Sequence, residues 1–212
     1  MKTEQLIRAL AADNAREGRP PALTIVLALL AGFSVSLAAF VLWIGPRPDL
    51  AQAVQTWPFL LKPVEMLALV GAAAVIVLRL AQPGMSADAA MRVAALAAAV
   101  MIAAAAVELV RLPQAQWMVQ LSGQHWQICV MNMVLLALPM LAALLLALRH
   151  AAPTRPALAG GGAGLLAGAV SAALYIVHCP DDSPLFVAAW FGMAIAITAA
   201  LGAGIGARVL RW

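Results

Sequence analysis

The chain has 212 residues, of which 65% are hydrophobic and only 10% charged, with a formal net charge of +4 and a mean hydropathy of +0.96. A soluble domain carries roughly 25% charged residues, so a water-soluble globular protein is excluded and an integral membrane protein is expected. The small positive charge is spread along the chain and implies no nucleic-acid partner.

The chain opens with MKTEQLIRALAADNAREGRPP. Thr3 is placed to cap a short helix in which Leu6, Ile7, Leu10 and Ala11 form an apolar stripe beside Arg8 and Asp13. Alone it is too short to be stable in water. It is suited either to lie on a membrane surface or to dock into a partner's groove.

Six apolar runs follow, each long enough for a hydrocarbon core about 30 Å thick. They cover about 22–44, 60–80, 91–110, 128–148, 158–177 and 185–208. Lipid offers no hydrogen bonds to the backbone, so each is expected to be helical. The predicted fold is an all-α integral membrane protein, with residues 1–21 as a cytoplasmic segment and 22–212 as a six-helix domain. The first run exceeds the 7–15 apolar residues of a signal peptide and reads as a retained anchor.

In the second and third spans, Lys62 with Glu65 and Glu108 with Arg111 are spaced i, i+3, as for ion pairs on one helix face. Pro139 is expected to kink the fourth span, with Asn132 available for an interhelical hydrogen bond. Gly160, Gly164 and Gly168 on the fifth span, and Gly202 and Gly206 on the sixth, form stripes that let helices approach closely. Trp43, Trp57, Trp117, Trp126 and Trp190 all fall near one end of their spans, as an aromatic belt would.

Basic residues stay on the cytoplasmic side of a membrane. With the N-terminus inside, the inner segments hold Lys2, Arg8, Arg16, Arg19, Arg79, Arg92, Arg149, Arg155, Arg208 and Arg211. The outer segments hold Arg47, Lys62 and Arg111. Ten against three predicts that both termini are cytoplasmic.

That orientation puts VHCPDDSPLF, residues 177–186, outside, together with Cys129 at the start of the fourth span and His125 one turn before it. Asp181, Asp182 and Ser183 lie between Pro180 and Pro184, which is ordinary turn and helix-cap chemistry. The two cysteines leave three readings open. They are inert small hydrophobes, a disulfide in a compartment where disulfides persist, or a site for zinc or a heavy metal. In the last case Cys129 and Cys179 are the main ligands, with His125, His178, Asp181 and Asp182 as auxiliaries. The sequence holds no phosphate loop, no HExxH and no nucleophile–base arrangement, so no enzyme is expected and no cofactor is required.

The tail opening TEQLIRALAAD, the six spans, WQICVMNM at 126–133 and above all HCPDDSPLFVAAW at 178–190 together resemble the NrsF family. These are bacterial membrane anti-sigma factors for extracytoplasmic-function sigma factors. The resemblance implies residence in the bacterial inner membrane and a cytoplasmic N-terminal segment that holds the sigma factor, here through Leu6, Ile7, Arg8 and Leu10. It also implies outer cysteines linked to sensing of stress, here Cys129 and Cys179. The expected partners are the bilayer and the sigma factor, with a second copy of the chain left open. Two rival readings are a membrane thiol oxidoreductase, which wants a close reactive cysteine pair, and a small transporter, which wants midplane charges and interrupted helices.

Overall fold

A computed structural model describes residues 3–5, 21–82, 84–151 and 153–211. Among them the ordered secondary structure is helical. Six helices are long and apolar enough to cross a membrane, as the composition requires.

The first, α1 (Ala22–Ile44), finishes in a widened π turn over Phe40–Ile44. A four-residue helix, α2 (Leu50–Ala53), leads into α3 (Trp57–Leu80), which starts on Pro58 in its first turn. The next helix, α4 (Asp88–Arg111), begins with an acidic residue and ends with a basic one, complementing its dipole. The connection between the third and fourth spans contains a further helix, α5 (Gln114–Ser122). Gly123, at φ +54°, separates it from α6 (Trp126–Arg149). Pro139 lies inside α6, which remains one helix from end to end. Then come α7 (Pro156–Tyr175) and α8 (Pro184–Val209), the latter with a second π turn at Val187–Phe191. The observed spans match those read from sequence within a few residues, except where α5 precedes the fourth.

The middle of the bundle is α7, which packs against α8, α3 and α6, while α1 sits outside α6 and α4 outside α3. Small residues make that central position available. A Cβ on Gly164 would stand 2.8 Å from Ala199 Cα, and one on Gly206 would stand 2.8 Å from Gly160 Cα. The two stripes therefore face each other, and their close approach joins α7 and α8 along most of their length. In lipid this packing is driven by van der Waals contact between backbones rather than by apolar burial. Further out, Gly32 brings α1 against Met140 of α6, and the buried Ser36 hydroxyl donates to the Leu136 carbonyl at 2.7 Å.

The chain alternates direction, so 45–56, 112–125 and 176–183 all lie at one end of the bundle. The outermost helices, α1 and α4, expose most of their length, as helices bathed in lipid do.

Candidate functional site

Residues 176–183 are built as a hub at that end. The last turn of α7 closes with the amides of His178 and Cys179 both donating to the Tyr175 carbonyl at 3.0 Å. Pro180 cannot continue the helix. Ser183 then caps α8, accepting from the Phe186 amide at 3.4 Å, with Pro184 at the first helical position.

Every other connection at this end reaches into the hub. The ammonium of Lys62, on α3, donates to Asp182 Oδ1 at 2.7 Å and to the Asp181 carbonyl at 2.6 Å. The guanidinium of Arg47, between α1 and α2, donates to both Asp182 oxygens at 3.2 Å and to the Cys179 carbonyl at 3.0 Å. Arg47 also holds Asp49 through a bidentate pair at 2.7 Å, which lowers the Asp49 carboxyl below the usual range. The main-chain amide of Arg47 donates to the Val177 carbonyl at 2.9 Å, and the His178 ring bonds the Gly45 carbonyl at 2.9 Å. From α4, Glu108 accepts from the Ser183 hydroxyl and the Leu185 amide, both at 2.7 Å. A carboxylate at a helix N-terminus completes orphan donors and offsets the dipole. From the α5–α6 turn, the Gln124 amide donates to Asp181 Oδ2 at 3.2 Å. Gly123 permits this contact, since a Cβ there would stand 2.7 Å from that oxygen. Above the turn, Trp126 stacks on Trp190 with ring centroids 3.9 Å apart.

Local i, i+3 pairing therefore fails. Among the described residues the ion pairs are Arg47–Asp49, Arg47–Asp182 and Lys62–Asp182. Lys62 and Glu108 spend their charge on the 181–185 segment, because it satisfies buried groups that a neighbour on the same helix would leave bare. The two aspartates are likewise more than turn formers, since Asp182 is the shared acceptor of two nearly buried cations. The aromatic belt is also only partial: Trp43 and Trp57 are exposed, whereas Trp126 and Trp190 belong to the hub.

Beneath the hub, the structure brings together the two cysteines. Both thiols are free and buried, Cys129 on the first turns of α6 and Cys179 after α7. They are close neighbours in one buried cluster that also holds Tyr175. The Cys179 thiol also donates to the Asp181 carbonyl at 3.9 Å. Its pKa is pushed well above the ordinary thiol range, first by the bond to Cys129 and then by burial. Tyr175 packs between His178 (5.3 Å) and Phe191 (6.4 Å), and the Lys62 ammonium lies 5.9 Å from the centre of the Phe191 ring.

The histidines stand apart from the thiols. His125 is the exposed N-cap of α6, tied to Cys129 only through the Cys129 amide, and His178 faces Gly45 and Tyr175. Among the described residues no three His, Cys, Asp or Glu side chains form a metal-binding group. Leu6, Ile7, Arg8 and Leu10 lie outside the described residues. Arg47, Lys62, Glu108, Tyr175 and Gly123 were not read as site residues. Their signal was the crowding of charge at one depth in a chain otherwise poor in it.

Comparison with known proteins covers the same length of chain. The family model described as NrsF, negative regulator of sigma F, matches residues 10–212. The anti-sigma-F factor NrsF of Caulobacter vibrioides is 38% identical over 218 residues, covering 100% of both chains. The probable anti-sigma-F factor NrsF of Azospira oryzae is 34% identical over 213 residues, again covering 100% of both. No solved structure matches the chain.

Proposed function

We propose that this chain, which belongs to the NrsF family of negative regulators of sigma F, is an inner-membrane anti-sigma factor for a sigma factor of the extracytoplasmic-function class. It is a regulator and not an enzyme. Residues 1–21 hold the sigma factor at the cytoplasmic face through Leu6, Ile7, Arg8 and Leu10. The Cys129–Cys179 pair, on the periplasmic side, is the element that a stress signal acts on.

One observation carries the sensing half of this reading: two buried thiols, fifty residues apart in sequence, face each other under the hub that ties the loops of the bundle together. Hydrogen peroxide would take two electrons and two protons from the pair as the S–S bond forms, leaving two waters. Bond formation draws the sulfurs to about 2.05 Å and so pulls the 179–185 segment toward α6. That segment is bonded to Arg47, Lys62, Glu108 and Gln124, so its displacement is shared by α3, α4 and the loop after α1. The close-packed α7–α8 pair has no slack to absorb a shift and carries it to the opposite end. A thiophilic metal bridging the two thiolates would act on the same pair.

Co-purification tests the partner. The detergent-solubilised full chain should retain its sigma factor, and a Leu6→Glu, Leu10→Glu double variant should insert normally but lose it. Each buried leucine contributes on the order of 1.5–3 kcal/mol, so the pair decides binding. Undiminished retention by the variant would contradict the assignment of the tail.

A further inference from the structure

Glu65 lies one turn further into the bundle than Lys62 on α3, is 7% exposed, and has no hydrogen-bond partner on Oε1. Lys62 does not supply one, since its ammonium is committed to Asp182 and the Asp181 carbonyl. A buried oxygen without a donor costs free energy, and an ionisable group at membrane depth is by default a functional candidate.

Glu65 lines a cavity of about 240 Å³ whose other walls are apolar, among them Met66, Leu69, Met101, Leu165 and Ile195. The cavity exists because α4 packs on the first turns of α8, around 184–191, and separates from it beyond Gly192. Alanines and Gly192 line the gap and leave it unfilled, while two methionines give it walls that adapt to an occupant. Apolar cavities of roughly 150 Å³ accept a benzene ring, so this one admits a substituted ring or a short branched chain.

We propose that this cavity is a binding site for a lipophilic molecule bearing a single hydrogen-bond donor, an apolar alcohol, phenol or amine drawn from the bilayer, with Glu65 Oε1 as its acceptor. The apolar walls select the body of the ligand, and the one polar atom selects the donor. A ligand without a donor leaves Oε1 without a partner.

The test compares 4-propylphenol with 4-propylanisole, its methyl ether, in saturation binding of the tritiated compounds to the full chain in lipid nanodiscs. Wild type should bind the phenol saturably and at least fivefold more tightly than the ether. Glu65→Leu should bring the two within twofold of each other, and Glu65→Gln, which keeps an acceptor, should retain most of the preference. Ala98→Phe, which fills the gap from the α4 side, should abolish both. Equal binding of phenol and ether by wild type, an unchanged preference in Glu65→Leu, or no saturable binding of either compound overturns the proposal. Because one variant removes the acceptor and another the space, a folding defect in either leaves the other to decide.

Discussion

Asp182 accepts from two cations that arrive from different parts of the chain, Lys62 with 2% of its side chain exposed and Arg47 with 8%. Removing the shared anion leaves the buried Lys62 ammonium with no carboxylate and Arg47 with Asp49 alone, whereas removing Lys62 leaves Asp182 still held by Arg47. Breaking a buried pair costs on the order of 3–5 kcal/mol, and the 23% exposure of Asp182 reduces that figure. Asp182→Asn is therefore expected to cost about 2–4 kcal/mol and Lys62→Met distinctly less. The midpoints of thermal unfolding in detergent should rank wild type above Lys62→Met and Lys62→Met above Asp182→Asn. The reverse order would remove Asp182 from the centre of the hub. A second residue-scale expectation concerns Cys179. Its thiol is raised chiefly by the bond to Cys129, and a raised pKa keeps it protonated until pH passes above the ordinary thiol range. Thiolate is the reactive form, so labelling by methyl methanethiosulfonate at pH 7.5 should be slow and should rise with pH. Cys129→Ala removes the larger cause and should speed the reaction at fixed pH. No change in rate would mean that burial alone protects the thiol.

At the scale of elements, α7 and α8 form the tightest unit, and its tolerance of added volume is position-specific. An alanine at Gly164 places a Cβ 2.8 Å from Ala199 Cα, on backbone that cannot swing aside. Gly71, on the exposed face of α3, meets nothing within 4 Å. A helical Gly→Ala change is intrinsically favourable by about 1 kcal/mol. Gly71→Ala should leave the melting temperature unchanged or higher, and Gly164→Ala should lower it despite the same propensity gain. Equal responses would show that the stripe is not the contact between these helices. The stripes were legible in the sequence because glycine every fourth residue in lipid has one strong physical reading, close approach. The six spans were legible for a similar reason, since 20 apolar residues have few other uses. The α5 helix was not, because a nine-residue amphipathic segment with a tryptophan looks like an interfacial loop. The charge pairs were misread because spacing along one helix suggests local partners, and only the fold brings 181–185 within reach of Lys62 and Glu108. The cysteines could be placed at a common depth, but their meeting depended on which helices are neighbours, and no spacing rule gives that.

At the scale of the whole molecule, the end that carries the 177–186 loop ties acids and bases to one another across several helices, while the opposite end carries most of the arginines. With ten basic residues assigned to one side and three to the other, the proposed orientation puts the hub at the periplasmic face and both termini in the cytoplasm. Alkaline phosphatase fused after residue 182 should be active and fused after residue 212 inactive. The opposite pattern would invert the molecule and leave the tail unable to meet a sigma factor. In that orientation the proposed sensor and the proposed sigma-binding tail lie on opposite faces, with the α7–α8 unit between them.

The coupling of those two faces is tested most directly by sigma-F-dependent transcription, read from a reporter before and after exposure to the thiol oxidant diamide, in wild type and in Cys129→Ser and Cys179→Ser strains. The buried pair as sensor predicts a wild-type response several-fold above baseline and loss of that response in either single variant, with the protein still in the membrane. A response of wild-type size in both variants would contradict it, and would reduce the two cysteines to packing beneath a structural hub.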